Sequence, residues 1–215
     1  LVKKSDLQDL VAATGDLAAL PQTVVKLLDL LKEATCSASM VVRVLERDPA
    51  MTANVLKLSN SAFYGVRREI GSVRDALVML GNRSVVTLAF ATSMAPVMRR
   101  DLEGYGITRD RFWGHSLKVA VASALATERL GCNDLRCEAF TAGLVHDVGM
   151  LAVDAHLVSH HETLARAVPA FCLSDVERAT LGFDHTEAGA LMATNWGFPE
   201  VLVAAIRDHH DHRPG

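Results

Sequence analysis

Apolar residues recur along this chain at spacings of three and four, and the stretches they form are bounded by residues that start or stop helices. After Leu20-Pro21, the positions Val24, Val25, Leu27, Leu28 and Leu31 make one apolar stripe. Ser37 or Ser39 offers an N-cap for a helix over Met40 to Glu46. Asp48-Pro49, with a carboxylate at the cap and a ring at the first helical position, opens a helix over Ala50 to Leu58 that Ser59-Asn60-Ser61 ends. Tyr64 to Gly71 reads as a loop, Ser72 caps a helix that Gly81 stops, and Asn82 begins another running towards Pro96. Further on, Thr108 or Asp110 opens a long helix through His115 to Leu130, and Asp134 opens the helix that delivers His146 and Asp147. Helices are also expected over Met150 to Ala155, from Ser174 to Leu181, from His185 behind an Asp184 cap, and from Pro199 at N1 to His209-His210, with a loop or helix through His160 and His161. No period-2 run rich in β-branched and aromatic residues interrupts the series, so the pattern predicts an all-α chain.

The glycine-containing, charged stretch Arg99 to Thr108 is the expected boundary between two helical subdomains, 1–100 and 101–215. All nine histidines lie beyond it, which a uniform demand for core would not produce. Half of the 215 residues are hydrophobic, enough for a sizeable core. A net charge of −3, from 22 basic and 25 acidic residues, gives no global electrostatic case for nucleic acid or an anionic membrane. A helix-turn-helix over Met40 to Asn60, with Arg67, Arg68 and Arg74 on phosphates, is disfavoured because Ala50 to Leu58 presents chiefly Asn54 and Lys57. The apolar run Val85 to Pro96 is far short of the roughly 20 residues of a membrane helix. No signal peptide is visible, and the four cysteines form no CxxC pair, so a cytoplasmic setting with reduced thiols is expected. The missing initiator Met and the ending Arg213-Pro214-Gly215 suggest a piece of a longer protein.

Candidate chemistry centres on Gly143-Leu144-Val145-His146-Asp147-Val148-Gly149, where two metal-grade ligands sit in an apolar run. Read as helix, Phe140, Leu144 and Val148 share a face and carry His146 and Asp147 into or beside the interior, where both need partners. Other helices offer His115, His185 and the pair His209-His210. A doublet spans about 100° of helix surface, so its members can flank two neighbouring ions or supply one ligand and one supporting group. Imidazole with carboxylate suits Fe, Mn, Zn or Ni, and the lack of nearby thiolates argues against a structural zinc finger. Each histidine also has a plainer explanation: His115 as an ordinary helix histidine, His185 as part of a cap, His209 and His210 as cations favoured at a helix C-terminus. His156, His160, His161 and His212 lie in polar or loop-like surroundings and rank lower.

Taken together, Leu20-Pro21, Asp48-Pro49-Ala50-Met51, Ser59 to Gly65, Leu80-Gly81, Phe112 to Ser116, Gly143 to Gly149, Gly182-Phe183-Asp184-His185 with Gly189, Trp196 to Pro199 and His209-His210 resemble the HDOD domain over about Leu17 to Asp211. The resemblance implies an all-α fold with an N-terminal helical subdomain and a C-terminal HD-like one, related to the HD and HD-GYP metal-dependent phosphohydrolases. It implies a metal cage of His115, His146, Asp147, His185, His209 and His210 around a divalent transition metal. The chain departs from catalytic relatives at three places: Met150 stands where HD-GYP enzymes carry a Lys, Arg111 where some members carry a Glu, and Asp211-His212-Arg213-Pro214-Gly215 where they lead to Gly-Tyr-Pro. The expectation is a non-catalytic output module of a bacterial signalling protein, with signalling proteins or flanking regulatory domains as partners and neither membrane nor nucleic acid among them. The alternative is a metal-dependent phosphohydrolase acting on a nucleotide or cyclic dinucleotide, with Asp147 and Arg111 as its candidate catalytic residues.

Overall fold

A computed structural model describes residues 4–13, 25–27, 29–30, 37–162 and 172–211. Its helices are α1 (Lys4–Ala13), α2 (Ala38–Leu45), α3 (Pro49–Ser59), α4 (Val73–Leu80), α5 (Asn82–Met98), α6 (Arg109–Arg129), α7 (Arg136–Val145), α8 (Met150–Leu157), α9 (Leu173–Leu181), α10 (His185–Asn195) and α11 (Glu200–Asp208). Among the described residues the β-structure is one antiparallel bridge between Leu102 and Ile107. The all-α class holds. Most of the stripe expected over Leu20 to Leu31 lies outside the described residues, although residues 25–27 within it are helical and Leu27 is fully buried.

The described residues fall into two compact units, one within Leu20–Pro96 and one combining α1 with the chain from Val97 onward. In the first, α2 buries Val41 and Leu45 and α3 buries Met51 and Val55, each pair four residues apart and so on one face. Three expected caps act as read: Asp48 accepts from the Met51 N–H at 2.9 Å, Ser72 Oγ accepts from the Asp75 N–H at 3.1 Å, and Gly81 ends α4 at φ 82°. Ser37, by contrast, stands at the N-cap of α2 with its hydroxyl on Ser39 Oγ and no side-chain bond to the helix amides. Asn60 ties down the loop after α3 by bonding the Ile70 carbonyl and amide at 2.9 and 2.8 Å. The helix α5 is buried without interruption from Val85 to Ala91, as a helix apolar all round must be, and it runs two residues past Pro96.

In the second unit, α6 turns Phe112, Ser116, Ala120 and Ala124 inward at four-residue spacing and packs along α7. The approach is close: a Cβ on Gly143 would meet Ala120 Cα, Ser123 Oγ and the Val119 carbonyl, each at 2.9 Å. A second close approach joins Gly149 to α10, where an added Cβ would run into the His185 carbonyl and the Gly189 backbone. Gly182 ends α9 in the left-handed region at φ 85°, and Asp184 then forms a capping box with Glu187 at the start of α10. Three boundaries differ from expectation. A 3-10 turn over Asn133–Leu135 precedes α7, Pro199 is the N-cap of α11 instead of its first residue, and α7 stops at Val145.

Candidate metal centre

Because α7 ends at Val145, His146 and Asp147 do not ride on a helix face as the sequence suggested. They occupy a tight turn over His146 to Gly149, closed by bonds from the Val148 N–H to the Val145 carbonyl and from the Met150 N–H to the Asp147 carbonyl. Both side chains are nevertheless buried, because the turn is pressed against α10 through Gly149. His185 is the first residue of α10, His209 and His210 follow the end of α11, and His115 stands on α6. Two helix C-termini thus end at the cluster, and their partial negative charge favours a cation there.

Asp147 is the hub. Its Oδ2 lies 3.0 Å from His146 Nε2 and 3.4 Å from His115 Nε2, while Oδ1 lies 3.3 Å from His209 Nε2 and 3.7 Å from His185 Nε2. The histidine pairs face each other as well, Nε2 to Nε2, at 3.3 Å for His115 with His146 and 3.4 Å for His185 with His209. His210 stacks near the second pair, its ring centroid 4.2 Å from that of His209 and 5.1 Å from that of His185. All six expected ligands are brought together, as two groups sharing one carboxylate: Asp147 with His115 and His146, and Asp147 with His185, His209 and His210.

The far sides of the rings decide what the near sides can do. His146 Nδ1 is 2.9 Å from the Gly143 carbonyl and His209 Nδ1 is 2.8 Å from the Ile206 carbonyl, so both Nδ1 atoms carry the proton. Nε2 is therefore the atom each ring turns towards the Asp147 oxygens and the neighbouring Nε2 atoms. Ring nitrogens and carboxylate oxygens this close need a proton or a cation between them. Ligand atoms about 2.1 Å from an ion and about 90–109° apart stand about 3.0–3.4 Å from each other, the spacing of the two nitrogen pairs. The donor set fits a divalent metal on either side of Asp147.

Without an ion, protons must take its place. Burial alone would push the Asp147 carboxyl up, but hydrogen bonds from His115, His146 and His209 together hold it well below the usual carboxylate range. The bond to Asp147 raises the His115 pKa against the opposing effects of burial and of the nearby Lys118 ammonium. For His185, burial disfavours the charged ring, yet Glu177 with Asp147 outweighs it and raises the pKa. His210 is lowered, first by burial and then by His209 and His185.

The His115 side chain is 55% exposed against 11% for His146, so the cluster opens to solvent on that side. Arg111, one turn before His115, is exposed and has no hydrogen bond or ion pair to the cluster among the described residues. Met150 is buried at the start of α8. His156, His160 and His161 lie apart from the cluster, the last with Nδ1 3.2 Å from the Gly104 carbonyl, and His212 is outside the described residues. Sequence reasoning missed Glu177, Tyr105 and Lys118. Glu177 is fully buried, with one oxygen 2.6 Å from His185 Nδ1 and the other 2.7 Å from the Tyr105 hydroxyl.

The chain as a whole resembles known proteins. The sequence profile of the HDOD domain matches residues 17–212. The chain belongs to the HDOD family. It is 31% identical to a Shewanella amazonensis SB2B protein called a "putative phosphohydrolase", whose crystal structure aligns over 94% of this chain and 71% of that one with a TM-score of 0.75. The structure of a "putative signal transduction protein" from Marinobacter aquaeolei VT8 is 25% identical, covering 92% of this chain and 45% of that one, with a TM-score of 0.71. An uncharacterized protein of Treponema pallidum (strain Nichols) is 25% identical over 206 residues, 93% of this chain. The HDOD chain spans 39% of that relative's length. No described helix is long and apolar enough to cross a membrane.

Proposed function

We propose that this HDOD chain is a non-catalytic signalling output module in which the histidine-aspartate cluster holds one or two divalent transition ions, drawn from Fe, Mn, Zn and Ni, that brace the helices meeting there. The carrying observation is Met150. Where the related HD-GYP phosphodiesterases place a Lys, this chain has a thioether only 3% exposed, which can neither reach a phosphate nor neutralise charge developing on its oxygens. A bound metal would supply Lewis acidity and an activated water, but turnover also needs the ester held in line. Bracing needs only the six ligands and their supports. The signalling role is supported by family membership and by the name of the Marinobacter neighbour, and the partners are signalling proteins or flanking regulatory domains.

One observation favours the alternative, a phosphohydrolase acting on a nucleotide or cyclic dinucleotide. The cluster opens to solvent at His115, and Lys118 lies close enough to affect that ring's charge. In that reading Asp147 and Arg111 are the catalytic candidates. The deciding experiment is a turnover assay of Mn- or Fe-loaded protein on cyclic dinucleotides and simple phosphodiesters, with His146→Ala and Arg111→Ala alongside. The module reading predicts no turnover above the His146→Ala background. A few turnovers per second, abolished by His146→Ala, would overturn it.

A further inference from the structure

His185 differs from His146 and His209 in where its ring finds support. Those two follow helix C-termini, and each turns Nδ1 to the carbonyl three residues back. His185 opens α10, where no preceding turn of its own helix offers a carbonyl and the first backbone N–H groups have no partners within the helix. Its support comes from a different helix. Glu177 of α9 accepts both His185 Nδ1–H at 2.6 Å and the His185 backbone N–H at 2.8 Å through the same oxygen, Oε2. The other oxygen, Oε1, accepts the Tyr105 hydroxyl at 2.7 Å. Three donors converge on one carboxylate with no exposed surface, which is how a buried anion becomes tolerable.

We propose that Glu177, clamped by Tyr105, is a positioning residue that fixes His185 as the Nδ1–H tautomer and aims its Nε2 lone pair at the space beside Asp147. Its bearing on metal binding rests on the metal-holding reading above, whereas the tautomer does not. With Glu177 in place, the neutral ring carries no proton on Nε2, the atom that faces His209 Nε2 at 3.4 Å. Take the acceptor away and a proton left on Nδ1 is stranded in the interior. The neutral ring then does better with its proton on Nε2, donating towards Asp147, and the ligand atom is lost.

The clamp at the far end is itself seated firmly. Tyr105 belongs to the loop closed by the reciprocal Leu102–Ile107 backbone bonds at 2.8 and 3.0 Å, and Asp154 Oδ1 holds the neighbouring Gly104 N–H at 2.9 Å. Gly104 leaves no room for a side chain, since a Cβ there would lie 2.8 Å from Leu157 Cβ and closer still to the Asp154 carbonyl. The loop directly after α5 is therefore two hydrogen bonds from a candidate ligand, and its placement and the aim of His185 are coupled.

The test is long-range nitrogen-15 correlation spectroscopy of the histidine rings in metal-free protein, at a pH where His185 is neutral, combined with titrations by Mn2+ and Zn2+. Wild type should show His185 protonated on Nδ1. Glu177→Met, similar in size but without an acceptor, should move the proton to Nε2 and weaken metal binding by about 10–100-fold. Glu177→Gln keeps an acceptor oxygen and should retain the tautomer, with a smaller loss of affinity, and Tyr105→Phe should lose affinity in the same direction. An unchanged tautomer in Glu177→Met overturns the proposal even if that variant is less stable, because a merely structural role would lower the melting temperature alone. Should Glu177→Met not fold, wild-type affinity in both Glu177→Gln and Tyr105→Phe overturns it instead. Wild-type protein that takes up no metal would defeat the metal-holding reading, while the tautomer comparison would still decide the role of Glu177.

Discussion

Replacing Gly149 by Ala tests how the His146–Asp147 turn is held. The new methyl would collide with the His185 carbonyl and the Gly189 amide and stand 2.8 Å from Gly189 Cα. These are backbone atoms at the start of α10, so no side chain can rotate aside. Overpacking that side chains absorb costs about 1–3 kcal/mol, and backbone obstruction puts this site at or above about 3 kcal/mol. For a chain of this size, about 2–4 °C of melting temperature per kcal/mol translates that into a fall of about 6–12 °C. Gly114→Ala is the matched control, because a Cβ there meets nothing within 4 Å and the position lies inside α6. That substitution should stabilise by about 0.5–1 kcal/mol. The same chemical change thus has opposite signs at two helix-associated glycines, read by calorimetry or circular dichroism melts. A Gly149→Ala protein melting within about 2 °C of wild type would refute the close contact between the turn and α10.

Asp184→Ala should cost about 2–3 kcal/mol in urea unfolding, since this fully buried carboxylate accepts from the Thr186 N–H, the Thr186 hydroxyl and the Glu187 N–H and pairs with Arg178. Asp48→Ala, at a half-buried cap with one bond to Met51, should cost only about 1 kcal/mol in the same assay. Asp101 is held below its ordinary value of 3.8 by the Arg109 backbone N–H and guanidinium. Its contribution to stability is complete above that ordinary value and is lost as pH falls through the lowered one, so Asp101→Asn should lower stability slightly at neutral pH, flatten the acid limb of the stability curve, and match wild type once the pH is below the lowered value.

What was legible in the sequence was mostly local chemistry. Caps such as Asp48, Ser72 and Asp184 act on amides two or three residues away, and Gly81 and Gly182 adopt positive φ where helices stop, so their roles follow from neighbouring residues. The six clustered side chains were recognisable as ligand types in order, and their motifs pointed to the HDOD family. The end of α7 was not legible, because Gly143 to Gly149 stays apolar and contains no strong breaker before Gly149. What shapes that turn is tertiary, the fit of Gly149 against α10. Glu177 and Tyr105 were invisible for the same reason: they meet across 72 positions, and a glutamate in an amphipathic helix ordinarily faces water. Sequence periodicity cannot mark a glutamate that folding turns inward.

The central claim, that the cluster holds metal, is tested most directly by elemental analysis of freshly purified protein beside Asp147→Ala. Asp147 contributes an oxygen to both ligand groups, so its loss should empty both positions. The account predicts one or two divalent transition ions per wild-type chain, retained through dialysis, and none above background in Asp147→Ala. Wild-type protein that carries no more metal than Asp147→Ala, even after incubation with Mn, Fe, Zn and Ni, would contradict it.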